Sequence, residues 1–493
     1  MTDIRIAIAA TCDIDKPPVR ALMLKGWLER ESSPLHGKIQ IRIFEPGNPS
    51  GLAAAVAQIR IFRPDVLFFY THFSWPENEL FSAFSSLKKE NPGIVTVVYN
   101  DSVVKLSEKT ACAHGIDFIL RGESEVNFEK IILRRISPDW NPPEKPEIMH
   151  DYGGMENLND IPSPFLNRQI DLAGTSKMQI FLGRGCPNHC FYCPIGESRI
   201  RYFTHERILS EIRAVLDQAP SMRRILLMAP DMFSTETAGL IPHIRKIAEE
   251  RKVIFDFYTH SGFRHEENVI SSADSPFFYI RAGVQSFNVA SLAAVNRKAD
   301  PDAEKNNLLR IRRFAPSAGL GAELILGLPF ETAESWKQML EWTVKMKTDI
   351  FVNHLFVPPG SPLSLSEEGK KYTVSEEMPY FAVSTNTLSA AELSALSSET
   401  KKIFMVLNLL KSSHAFSHVF YLLSDSCRTE YPHIDLALKT ANKLLCNDKT
   451  SVFAGEYMRR TQSYSLSTKD YSFFSPDNIM EAVAVFRKIF REH

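Results

Sequence analysis

Cysteine is scarce in this chain: seven residues in 493, and three of them, Cys186, Cys190 and Cys193, fall within eight positions. The other four, Cys12, Cys112, Cys427 and Cys446, are scattered. An odd total without an export signal argues against a disulfide framework, so these four are expected to be ordinary buried or half-buried thiols. An excess of charge is also lacking. Lysine and arginine number 57 against 58 acids, a formal net charge of -1, so no global basic field gathers nucleic acid or anionic lipid. Long apolar runs are missing: nothing approaches the roughly 18 residues that span a bilayer, and "FMVLNLL" is interrupted and short. The opening "MTDIRIAIAATCDID" has no basic n-region and carries acids early, so it reads as a first strand and not a signal peptide. A soluble, cytoplasmic protein with no nucleic-acid or membrane partner is the expectation.

What is present is ordinary globular composition, 44% hydrophobic and 23% charged, in a chain long enough for two or three cores. Residues 1–136 alternate apolar strand runs, "IRIAIAA", "IQIRIFEP", "VLFFYTH", "IVTVVYN" and "FILRG", with segments of helical periodicity. Five strands with helical crossovers predict a doubly wound, Rossmann-like parallel sheet whose ligands bind at the strands' carboxyl ends. Residues 137–177, with "SPDWNPPEKPEIMHDYGG", read as a proline-rich linker. Alternation resumes over 178–365 with about six strand–helix units, which predicts a partial TIM-like barrel. Beyond, 366–493 is expected to be mostly helical, with "AAELSALSSETKKIFMVLNLLK" and "DNIMEAVAVFRKIFREH" as amphipathic helices. The fold class is therefore α/β with a helical C-terminal segment.

The cysteine cluster, C-x3-C-x2-C, leaves the first barrel strand, where such barrels keep their catalytic loops. Zinc competes for it, because three thiolates and His189 would make a closed Cys3His site. Structural zinc sites draw ligands from two separated turns, however, and His189 adjoins Cys190. Three thiolates on an iron–sulfur cluster leave one iron open, which is a reaction site.

The spacing resembles that of the radical S-adenosylmethionine (SAM) superfamily, and "RGCPNHCFYC" is similar to that family's frequent RGCP form. Downstream, "APDMFS" around Asp231, "AGVQSF" with Gln285 and Ser286, "NRKAD" with Asn296 and Arg297, "ELILGLPFET" with Ile325 and Gly327, and "VPPGSPL" resemble its successive strand-end elements. The resemblance implies a [4Fe-4S] cluster on Cys186, Cys190 and Cys193 that cleaves SAM to a 5'-deoxyadenosyl radical, with a flavodoxin- or ferredoxin-type electron donor. It places the Tyr192 backbone on adenine, Gln285, Ser286 and the Ile325–Gly327 strand along SAM, and Asp231 at the methionine end or the substrate as the candidate catalytic acid. Three of these have a plainer reading: turn geometry for Gly327 and helix capping for Asp231 and Ser286.

A doubly wound front domain, an "IPSP" linker and "LRGESEVNFEKII" together resemble the family's cobalamin-binding branch. That implies cobalamin contacts at strand-end loops, here Thr11, Thr71 and Asn100, although plain loop polarity would also account for them. The fourth strand runs into Asn100-Asp101-Ser102 where glycines are usual in the branch. Too few further cysteines remain for the second cluster of a methylthiotransferase. The reading is a cobalamin-dependent radical SAM methyltransferase of an unactivated carbon or phosphorus in a peptide or small natural product. A rearrangement or cyclisation enzyme, with or without cobalamin, and a non-catalytic iron–sulfur carrier are the alternatives.

Overall fold

The computed structural model describes residues 4–10, 18–45, 51–71, 77–100, 108–151, 154–193, 199–376, 380–411, 420, 421, 424, 429–460, 465–467 and 475–491. Two parallel sheets organise it. The first contains β1 (Ile4–Ala10), β2 (Ile39–Phe44), β3 (Val66–Thr71), β4 (Val95–Asn100), β5 (Phe118–Gly122) and β6 (Glu147–Asp151), in the order β2-β1-β3-β4-β5-β6. Alternate residues enter two separate cores: Ile6, Ile8, Phe68 and Val97 pack on one face with Leu28 and Phe128, while Ala7, Ala9, Phe69 and Val98 pack on the other with Ile59 and Phe81. Burial on both faces is why these strands are nearly continuous apolar runs.

β6 lies inside the segment expected to be linker. Among the described residues its "EIMHD" pairs only with β5, and an edge strand with one covered side tolerates polar residues. Arg134 anchors it to the preceding helix through Glu147 at 2.8 Å. The doubly wound sheet therefore has six strands where five were expected, because proline-rich surroundings and polar composition mask the sixth.

The second sheet runs through β7 (Lys177–Phe181), β10 (Arg224–Met228), β11 (Ile254–His260), β12 (Phe278–Gln285), β13 (Gly319–Leu326) and β14 (Asp349–His354). Between β7 and β10, the pair β8 (Gly183–Arg184) and β9 (Arg201–Tyr202) forms its own two-stranded ladder. All six are parallel, and Ser465–Ser467 adds an antiparallel strand on β14. The sheet stays open between β7 and that strand, so the barrel is partial. Its outer face is apolar, with Ile225, Phe255, Phe257, Ile280, Ala282 and Leu324 buried. Helices that follow the strands start on side-chain caps at Thr204, Asn288, Asp300 and Thr332.

Helices Ala390–Lys411, Pro432–Cys446, Ser451–Arg460 and Pro476–Arg491 make up most of the C-terminal segment. The first departs from the amphipathic expectation: every residue from Ile403 to Leu410 is buried. Its far half runs between other elements, and a helix covered on all sides can be apolar all round. Cys112 and Cys446 are exposed, contrary to expectation, whereas Cys12 and Cys427 lie outside the described residues. Among the described residues no helix is long and apolar enough to cross a membrane.

Candidate active site

The carboxyl ends of both sheets face one cavity of about 330 Å³. Its barrel side is formed by Phe181, the cysteine loop, Met228 to Pro230, Tyr258 to His260, Gly283, Gln285, Arg297 and Glu323. Its front-domain side is formed by Arg20, Met23, Tyr70, Tyr99 and Gly122 to Glu125. Strand-end placement follows from the parallel topology, which brings every β-to-α loop to one side.

Backbone constraints shape the cysteine loop. A Cβ on Gly183 would lie 2.3 Å from the Arg201 carbonyl oxygen, so β8 and β9 can meet only through a glycine there. Gly185 adopts φ +83, turning the chain into the loop. The Cys193 N–H donates to the Cys190 carbonyl at 3.0 Å. The loop is also laced to the segment after β12: Phe191 N–H donates to the Val295 carbonyl at 3.0 Å, and Asn296 Nδ2 to the His189 carbonyl at 3.0 Å. Cys186 and Cys190 are buried and Cys193 is half-buried, all three on the cavity wall. Burial pushes the Cys186 thiol up, against a hydrogen bond from Asn188. His189 is not on that wall. Among the described residues no three His, Cys, Asp or Glu side chains sit close enough together to hold a single metal ion.

Beside the thiols lies Arg297, buried, within 3.5 Å of the Tyr192 hydroxyl and 3.2 Å of Glu304. Its Nε has no hydrogen-bond partner, leaving a buried donor next to the cysteine loop. Gln285 ends β12 at φ +73, where the register with β13 slips by a residue. A non-glycine residue in that conformation is strained, and such strain collects at ligand sites. His260 ends β11 with Nδ1 accepting from Gly262 N–H at 3.1 Å. Burial, with Arg297 and His265 nearby, pushes its pKa down to about 3, so the ring is neutral and carries its proton on Nε2. Below it, Glu323 pairs with Arg281 at 2.5 Å, and Arg281 lies over the Tyr258 ring.

Several expected site residues stand elsewhere. Asp231 is not on the cavity wall. Its carboxylate accepts from Phe233 N–H at 3.1 Å and Thr259 Oγ1 at 2.9 Å, and lies 3.4 Å from His265. Burial pushes its pKa up despite His265. Ser286 donates to Glu331 at 2.6 Å and accepts from Asn288 N–H, tying β12 to the loop after β13. Ile325 is buried off the wall, and Gly327 takes φ +98 at the turn after β13. Thr71 and Asn100 end β3 and β4, and their side chains lie outside the described residues, as does Thr11 entirely. Cys186, Cys190, Cys193, Tyr192 and Gln285 are thus brought together.

Reasoning from the sequence missed His260, Tyr258 and Glu323. A signal existed: in "IFDFYTH" and "GAELIL" polar residues alternate with apolar ones, as on strands with one polar face. No comparable signal marks Arg20 and Met23.

Residues 180–343 match the radical SAM superfamily. The ribosomal protein uS12 methylthiotransferase RimO of Alkaliphilus oremlandii is 28% identical over 212 residues, 40% of this chain and 48% of its own. The cobalamin-dependent radical SAM methyltransferase TokK of Streptomyces tokunonensis is 25% identical over 424 residues, 79% of this chain and 61% of its own. The chain thus spans about half the length of the curated relatives it matches. Among solved structures, the cobalamin-dependent S-adenosylmethionine radical enzyme OxsB superposes with a TM-score of 0.64 at 13% identity, covering 99% of this chain and 80% of that one. The radical SAM methyltransferase TsrM of Kitasatospora setae gives 0.55 at 10% identity, covering 72% and 74%. At such identities the likeness is one of fold, and it extends through the front domain as well as the barrel. With the cysteine loop at the mouth of that barrel, the chain carries a radical SAM domain over residues 180–343.

Proposed function

We propose that this chain is a cobalamin-dependent radical SAM methyltransferase, acting on an unactivated carbon or phosphorus of a peptide or small natural product. The observation that carries the reading is the single cavity bounded by the cysteine loop on one side and the front sheet's strand ends on the other. Cys186, Cys190 and Cys193 would hold a [4Fe-4S] cluster: three thiols of one loop face the cavity, and the orphaned Arg297 Nε offers an anion a buried donor beside them. When bound, the cluster supplies the electron that cleaves SAM, and cobalamin supplies the methyl group. A flat macrocycle would lie against the front wall, where Tyr70 stacks on Tyr99 with ring centroids 5.1 Å apart. Tyr99 is fixed by its hydroxyl bond to the Gly122 carbonyl at 2.7 Å.

The chain's own residues bind, orient and exclude water. Gln285 and the Tyr192 backbone would lie along SAM, Asp231 would hold the loop after β10 in shape, and His260 Nε2–H offers a neutral donor. A flavodoxin- or ferredoxin-type donor and a small-molecule or peptide substrate complete the proposed partners.

The supporting experiment is anaerobic reconstitution followed by visible spectroscopy, a 5'-deoxyadenosine assay and quantification of bound corrinoid under saturating cobalamin. The reading expects all three signals, and absence of corrinoid overturns its cobalamin half. A second reading, rearrangement or cyclisation with or without cobalamin, would use the same cysteine loop and cavity. Methylated product from labelled SAM separates the two.

A further inference from the structure

The cysteine loop starts and ends on two residues that repel. In the ladder of β8 and β9, Arg184 stands directly opposite Arg201. Like charges facing each other across a ladder are destabilising, and here water does little to screen them: the two side chains are 17% and 6% exposed. Their counter-charges come from the other domain. Glu125 receives Arg184 through two bonds of 2.9 and 2.6 Å. Glu123 receives Arg201 through one bond of 3.2 Å and a second, shorter one, and lies 3.7 Å from Arg184. Arg201 also donates to the Met155 carbonyl. Burial alone would raise the Glu125 carboxyl, but the Arg184 charge and its hydrogen bonds outweigh that and hold it below its usual range.

Glu123, Ser124 and Glu125 directly follow Gly122, the tip of β5 on the front wall of the cavity. We propose that this segment is a counter-ion clasp that closes the stem of the cysteine loop, making Glu123 and Glu125 positioning residues for Cys186, Cys190 and Cys193. The front domain thereby does more than present its own strand ends. A shift of the β5 tip carries both carboxylates with it and loosens the stem, so the two walls of the cavity are mechanically coupled. Among the described residues, the carboxylates paired with Arg184 and Arg201 are Glu123 and Glu125. The link to a cluster rests on the radical SAM reading, whereas the ionic closure of the stem does not.

Amide hydrogen exchange of the metal-free full chain, read on the 182–203 segment, tests the clasp. Its reporters include the Phe203 N–H bonded to the Leu182 carbonyl at 2.9 Å. E123Q/E125Q is expected to speed stem exchange by about tenfold or more, with β1 to β5 unchanged. Adding R184Q removes one of the repelling charges and is expected to slow the exchange again, as is R184Q paired with E125Q relative to either single variant. Iron retained after anaerobic reconstitution is expected to follow the same order. Unchanged stem exchange in E123Q/E125Q, or a triple variant as fast as the double, overturns the clasp. Faster exchange with undiminished iron overturns the positioning role. A wild-type chain that takes up no iron would instead count against the radical SAM reading, and the exchange series in the same sample still decides the clasp. Should E123Q/E125Q lose protection throughout the front sheet, the single variants E125Q and R184Q supply the comparison.

Discussion

The two sheets begin from the same plan, parallel strands joined by helices, and use it differently. The front sheet is apolar on both faces and, among the described residues, meets the cavity only with its tips, Tyr70, Tyr99 and Gly122. The barrel sheet is apolar on its outer face alone, and across its inner face runs a chain of charged and phenolic groups. Arg224 pairs with Asp256 at 2.6 Å, Arg281 with Glu323 at 2.5 Å, and Tyr279 donates to Asp349 at 2.6 Å. A sheet covered on both sides can offer a ligand only its edges, whereas one curled around a lumen offers its whole inner surface. The front sheet thus offers the cavity its strand tips, and the barrel its inner surface.

The largest break in that comparison comes from the cysteines. Replacing Cys186, Cys190 or Cys193 by alanine is expected to abolish SAM cleavage while leaving the melting of the front sheet unchanged, as read by iron content, product assay and circular dichroism. Next come the cores. Phe68→Ala in the front sheet, where Phe68 packs on Phe128 with centroids 4.5 Å apart, should cost about 3–5 kcal/mol in urea unfolding. Arg281→Met on the barrel's inner face should cost a similar amount, about 3–5 kcal/mol, because it strands Glu323. The difference between the sheets shows in the rescue: adding Glu323→Leu should recover most of the Arg281→Met loss, whereas no single polar change recovers Phe68→Ala.

A smaller effect is pH dependence. His260 has a folded pKa of about 3, below its unfolded value, so the unfolded chain binds the extra proton as pH falls. Stability should therefore decline below pH about 6.5, by up to about 1.4 kcal/mol per unit, and His260→Gln should flatten that slope. Tyr99→Phe is the mildest, expected to cost about 1 kcal/mol for its bond to the Gly122 carbonyl and to weaken corrinoid binding before it affects SAM cleavage.

Much of this was legible in the sequence for a physical reason. Strands buried on both faces must be apolar, so β1 to β5 announce themselves, and the cysteine spacing and strand-end elements identify the barrel. Other features depend on partners distant in the chain. β6 is polar because an edge strand tolerates polar residues. The apolar end of Ala390–Lys411 becomes intelligible once its neighbours are known. Asp231 could be singled out as a carboxylate after the second barrel strand, but its engagement with Thr259 and His265 rests on where β11 lies. The Glu125–Arg184 pair joins residues 59 positions apart, and nothing local in either segment announces it.

The central claim is that both walls serve one site. The most direct test is electron paramagnetic resonance of the reconstituted, reduced enzyme loaded with cob(II)alamin and SAM. A shared cavity predicts that the cobalamin and cluster spins broaden and relax each other, so the spectrum differs from the sum of the two separately loaded samples. A spectrum equal to that sum, with both cofactors bound, would contradict the account.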